Sequence, residues 1–239
     1  AMLLLFPAGK SAALLAACLA ARPALGDSEG IARGLTQRAW LNSLRGQTEA
    51  AVLVGEEALA LLRQTGNTLA TIDVLRLLAD ANRLLAQRTA VADKARLLNQ
   101  AEQYLNEALD YAREHQIAGE EAAAYATLAG LYVARRDYDS AHKVTRKGLD
   151  ILYKTGDLRG QAMARYTLAN INMQCRNATE ALTQAAQGLQ VTQQLGDRVE
   201  LWLNEMSRLA PCCASVAELR ALGAIVAWRS GLAHAREAA

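Results

Sequence analysis

The sequence predicts an all-α fold, an α-solenoid of stacked antiparallel helix pairs, and three observations predict it. The first is a ladder of small residues, Ala51, Ala101, Ala141, Ala181 and Ala221, that climbs in steps of forty with a single step of fifty. Small-Leu pairs follow its rungs at Ala58-Leu59, Ala108-Leu109, Gly148-Leu149 and Gly188-Leu189. Breaks follow in turn at Thr65-Gly66-Asn67, Thr155-Gly156-Asp157 and Leu195-Gly196-Asp197, and Thr127-Leu128-Ala129 recurs as Thr167-Leu168-Ala169. A fixed period of this length is the signature of stacked supersecondary units. The second observation is composition: 52% of residues are apolar but only 5% aromatic. Ala and Leu supply most of the apolar share, which suits closely packed helices better than a β-branched sheet core. The third is the scarcity of proline, three in 239 residues, since an interior proline costs a helix about 3 kcal/mol.

Residues 1–27 read as a partial first repeat. Ser11, Cys18-Leu19 and Gly26-Asp27 stand forty before Ala51, Ala58-Leu59 and Gly66-Asn67. Leu15-Ala16-Ala17-Cys18 also has the form of a lipoprotein cleavage box, and Lys10 to Ala21 that of a short signal peptide ending near Ala24-Leu25-Gly26. A targeting peptide has no reason to carry the period of the domain behind it, so the solenoid reading is preferred. The first full repeat, 28–67, pairs a helix from Ser28 to Arg45 with one from Thr48 to Thr65, joined at Gly46. The second, 68–117, carries the ten extra residues, placed around Arg88 to Arg96 as longer helices or an extended turn.

In the third repeat, 118–157, Glu120 to Arg136 is apolar at Ala124, Leu128, Leu131 and Tyr132, a 3.6-residue spacing that marks one buried stripe. Glu120-Glu121 reads as a charged first turn, suited to the positive end of the helix dipole. Arg136-Asp137 breaks the pattern, and a second helix from Tyr138 to Lys154 sets Ala141, Val144, Gly148, Leu149 and Leu152 on one side. Gly156 is the expected left-handed cap and Asp157 the cap of the helix that follows. The fourth repeat, 158–197, continues with helices ending near Arg176 and Leu195. Residues 198–239 are less regular: Pro211 cuts a first helix short, and the register of the last helix stays open between Ala221 and Leu222-Gly223. Both ends look uncapped, and an apolar solenoid end calls for a cover. That pattern suits a segment of a longer protein, or self-association through those ends.

Motifs for chemistry are absent. Gly9-Lys10-Ser11 has the tail of a phosphate-binding loop, but Leu4 stands where the loop needs its first glycine. His115, His142 and His234 fall in different repeats. The four cysteines, Cys18, Cys175 and Cys212-Cys213, make no CxxC pair, so neither a metal nor a cofactor is expected. No GxSxG, HExxH or paired-carboxylate pattern occurs, and a non-enzyme is expected. A net charge of +2 with no run of like charges gives no drive toward nucleic acid. No stretch reaches the ~18 uninterrupted apolar residues of a membrane span.

Residues 128–141 resemble the tetratricopeptide repeat at Leu128, Ala129, Tyr132, Tyr138 and Ala141, with Gly148 at the later small position. Leu168, Ala169, Ala181 and Gly188 continue the match, while Asn172 and Ala178 replace the two tyrosines and Arg38 replaces the first unit's Leu. The forty-residue period is similar to the longer-helix variant found in polarity adaptors, peptide-sensing regulators and bacterial sensory proteins. The resemblance implies a right-handed superhelix whose first helices line a groove for a peptide, helix or protein domain. Carried onto matching positions, the groove takes Arg33, Gln37 and Trp40, then Arg76, Asp80 and Arg83, then Thr127 and Gly130, and last Met163, Tyr166, Asn170, Met173 and Gln174. Asn170 leads, because the family often uses an Asn there to hold a partner's backbone, to which an amide both donates and accepts. Tyr166 and the methionines supply either an adaptable apolar floor or ordinary packing.

The expected function is therefore a non-catalytic, cytoplasmic scaffold for a protein or peptide partner. The alternatives are the regulatory segment of a larger bacterial signalling protein, a cyclase or transcriptional regulator, and an exported lipoprotein anchored at Cys18.

Overall fold

The structure, a computed structural model, describes residues 28–194. The partial first repeat with Cys18 and Gly9-Lys10-Ser11, the break at Leu195-Gly196-Asp197, and everything expected of 198–239 lie outside the described residues. Within them are eight helices and no strand. They run α1 Ser28–Leu44, α2 Thr48–Thr65, α3 Thr68–Arg88, α4 Val91–Glu114, α5 Ala118–Arg135, α6 Tyr138–Thr155, α7 Leu158–Gln174 and α8 Ala178–Gln193. The chain divides into two compact units between Arg135 and Arg136.

In the first unit each helix packs on the next, from α1 through α5, and α3 also packs against both α1 and α5. In the second, α6 packs on α7 and α7 on α8. This is the expected all-α stack of helix pairs. The ladder residues explain the close approach, since Ala51, Ala101, Ala141 and Ala181 are all buried, as are Leu59, Leu109 and Leu149 behind them. A small residue at each rung lets the second helix of a pair lie close, and the following Leu fills the space beside it. Leu62, Ile72, Leu75, Leu78, Leu105 and Leu131 are the largest side chains sealed in the first unit. Each such burial contributes about 1.5–3 kcal/mol.

Nine of the ten extra residues of the second repeat are helix. α3 has 21 residues and α4 has 24, against 18 in each of α5 and α6. Only Thr89-Ala90 separates the long pair, so the extended turn is not there.

Four of the turns share one closure. At Gly46, Gln116, Gly156 and Arg176 the residue in the left-handed region donates back to a carbonyl three residues earlier, and the next residue donates five back, as from Asp157 to Leu152 O at 3.1 Å. This pattern satisfies the last carbonyls of a helix. Gly66 (φ 71°) and Gly156 (φ 70°) fill their positions without strain, because glycine lacks the Cβ that obstructs positive φ. Asn67, Asp137, Asp157 and Asn177 then cap the following helices, the Asp157 carboxylate accepting from Gly160 N at 2.9 Å. The cap expected at Asp157 is one of four, each worth about 1 kcal/mol.

Two packing expectations need correction. Tyr132 is only half-buried, and its hydroxyl donates to Glu102 on α4 at 2.7 Å. On α6, Val144 and Leu152 are half-exposed while Thr145 is buried, its hydroxyl satisfied by Ala141 O at 2.7 Å. A back-bonded threonine sits in a core at little cost because its single polar group is paired.

Candidate partner-binding face

The residues expected to meet a partner lie on the first helix of each pair, and within the first unit α3 adjoins both α1 and α5. The second helices α2 and α4 meet instead through long polar side chains. The Arg63 guanidinium donates to both carboxylate oxygens of Glu107 at 2.7 and 2.8 Å, and the Tyr104 hydroxyl to Glu56 at 3.2 Å. Backbones close together on one side and bridged by long side chains on the other make the α1–α3–α5 side the inner one of this unit.

On that side Arg33 and Gln37 are exposed and Trp40 is 48% exposed. Arg33 pairs with Glu29 one turn earlier at 2.6 Å. Arg76 reaches across to α5, where the Glu120 carboxylate accepts at 2.8 Å, with Asp73 at 3.7 Å on its own helix. Asp80 and Arg83 pair with each other within α3 at 2.6 Å. Thr127 donates to Ala123 O at 3.2 Å, and outside its own stretch of helix backbone nothing lies within 4 Å of where a Cβ on Gly130 would stand. Of these residues the structure brings Asp80 and Arg83 together directly. Sequence reading left Glu120 and Glu121 as a charged first turn; they hold that place on α5 and also bind Arg76 and Arg113 across helices.

In the second unit α7 carries the other five. Met163 is 53% exposed. Tyr166 packs against the buried alanines Ala162, Ala169 and Ala185, so it serves the core of the unit as well as its surface. Met173 is half-buried and Gln174 exposed at the end of the helix. Asn170 is half-buried, and its amide makes no hydrogen bond among the described residues. Its neighbour Asn172 behaves differently: buried, it donates to Leu168 O at 2.9 Å, as Asn82 does to Leu78 O at 2.8 Å in α3. Asn82 and Asn172 therefore serve the fold, and Asn170 is the amide that faces outward with its capacity unspent.

Among the described residues no group of His, Cys, Asp and Glu has the arrangement of a metal site, and no helix is long and apolar enough to cross a membrane. His115 meets Thr68 at 3.3 Å and His142 meets Arg146 at 3.5 Å; His234 lies outside the described residues. Cys175 is free and exposed just past α7.

Fold and face together define a helical-repeat protein. No family model and no curated protein matches the chain. Among solved structures it is similar to BtubC (BKLC) from P. vanneervenii, with a TM-score of 0.73 at 14% identity, over 97% of this chain and 93% of that one. A likeness at that identity establishes the helical-repeat fold and carries no function with it.

Proposed function

We propose that this chain is a tetratricopeptide-like interaction module, without catalytic chemistry, that binds a peptide or helix of a partner protein through first-helix side chains, foremost those of α7. The observation that carries the reading is Asn170. A half-buried amide with no intramolecular partner keeps its donors and acceptor for a ligand that offers both a carbonyl and an N–H. An extended peptide backbone offers both. Exposed Met163 and half-buried Met173 on the same helix supply adaptable apolar contact beside it. The paired charges of α3 fit the same reading at a lower share of the energy, since surface ion pairs contribute about 0–1 kcal/mol.

Peptides selected from a displayed random library against the full chain provide the probe. Asn170→Ala is expected to weaken their binding about tenfold or more, as for a central contact residue, with helical circular dichroism unchanged. Binding that survives both Asn170→Ala and Met163→Ala undiminished rejects the site.

A further inference from the structure

Arg165 stands in α7 where Leu35 stands in α1, Leu75 in α3 and Tyr125 in α5, at the forty- and fifty-residue steps of the ladder. Those three are buried, so a packing position of the repeat has received a charge. The Arg165 Nη1 donates to Oε1 of Gln184 at 2.8 Å and to Oε1 of Gln187, and Nη2 donates to the hydroxyl of Tyr153. The guanidinium also lies 5.8 Å from the centre of the Tyr153 ring. All these acceptors are neutral, and Nε is buried with no partner.

One repeat earlier the same clasp exists with its members exchanged. Arg113 and Tyr125 stand forty residues before Tyr153 and Arg165. Arg113 Nη2 donates to the Tyr125 hydroxyl at 2.5 Å with the ring centre 5.7 Å away. There, however, Nε donates to the Glu121 carboxylate at 3.0 Å. The residue forty after Glu121 is Gln161, whose amide is turned to Leu152 O at 3.0 Å. Arg165 thus keeps the tyrosine of the clasp and lacks its carboxylate. Arg76, the other arginine with an orphaned Nε, has Glu120.

We propose that the Nε–Nη2 edge of Arg165 receives the carboxylate of an aspartate or glutamate side chain from a partner protein, with Tyr153 swinging aside to uncover it. The two parallel N–H groups of that edge match the two oxygens of a carboxylate. Tyr153 is 47% exposed, so its ring can move without opening the core. Glu180, whose Oε1 accepts from Gln184 at 2.8 Å, sets a negative charge nearby that disfavours a phosphate dianion. A single charge-assisted pair is too weak to hold a free acid at millimolar levels, so the carboxylate belongs to a segment with other contacts. Arg165 packs toward α8 and Tyr153, apart from Asn170, and this site stands or falls independently of the one proposed above.

The test follows the Nε–Hε resonance of Arg165 in the full chain at constant ionic strength, with acetate, inorganic phosphate and acetyl-Ala-Glu-Ala-amide as probes. The peptide is expected to shift Arg165 saturably and more tightly than acetate or phosphate, leaving Arg113 unmoved. Tyr153→Phe, which removes the competing hydroxyl, strengthens the response, and Gln161→Glu, which sets a carboxylate one turn before Arg165, abolishes it. A non-saturating shift equal to that of Arg113, tighter binding of phosphate or acetate than of the peptide, or a response undiminished in Gln161→Glu overturns the proposal.

Discussion

Gln116, Arg136 and Arg176 hold φ of 55°, 62° and 59° at positions where Gly46, Gly66 and Gly156 close equivalent turns. An L residue in that region costs about 1–2 kcal/mol, and glycine's own entropic cost of about 0.5–1 kcal/mol takes back part of any gain. Gln116→Gly is accordingly expected to stabilise the first unit by up to about 1 kcal/mol, read as a shift in the urea midpoint at unchanged slope. Gly156→Ala should lose a similar amount in the second. A sequence shows the glycine and Asn/Asp caps of such turns directly, because those residue types are there for one reason. It does not show that Gln116, Arg136 and Arg176 share their conformation, since nothing in a Gln or Arg asks for it. Burial first, and then the positive charge of Arg146, hold His142 below its ordinary value of 6.5, against Glu180 and Asp139. The folded chain therefore takes up this proton less readily than the unfolded chain. Its contribution to stability is complete above pH 6.5 and is lost as pH falls through the lower folded value. His142→Asn should flatten the acid side of a plot of Tm against pH, and its slope staying as in the wild type would exclude the effect.

Helices of this chain are held by packing more than by propensity, because most of a protein helix's stability comes from burying its apolar face against neighbours. Leu75 is fully buried in α3, whereas Leu53 on α2 is 68% exposed. Leu75→Ala should cost about 2–5 kcal/mol, and Leu53→Ala no more than about 0.5 kcal/mol in either direction. Equal effects in denaturant unfolding would mean that the core is misplaced. Boundaries of the elements were legible because apolar spacing and turn residues agree, as at Gly46 and at Gly156-Asp157. The longer α3–α4 pair was not, since ten added residues extend two helices as easily as they enlarge a turn. Packing decided it: α3 touches α1, α4 and α5 together, and added turns lengthen surfaces that are already buried. The Arg165 clasp escaped sequence reading for another reason. A charge in a packing position looks like register error until the Arg113–Tyr125 pair shows that the two members can trade places.

Over the whole chain the forty-residue ladder records where helices approach, and it is nearly silent on ligands. Every described rung is buried, so the period reports core packing, while the positions proposed to face a partner vary from repeat to repeat: Gln37 and Trp40, then Arg76, Asp80 and Arg83, then Thr127, then Asn170. That variation is why the fold was readable and the face only outlined. It also shifts weight between residues, since Tyr166 is partly absorbed by packing and the α3 charges by one another, while Asn170 stays uncommitted. The most direct measurement is the Nδ2 amide signal of Asn170 in the full chain, recorded with and without a saturating library-selected peptide. Engagement of the peptide backbone predicts a downfield shift and slower exchange with water for that signal. An Asn170 amide that stays unchanged while resonances of another helix respond would contradict the account.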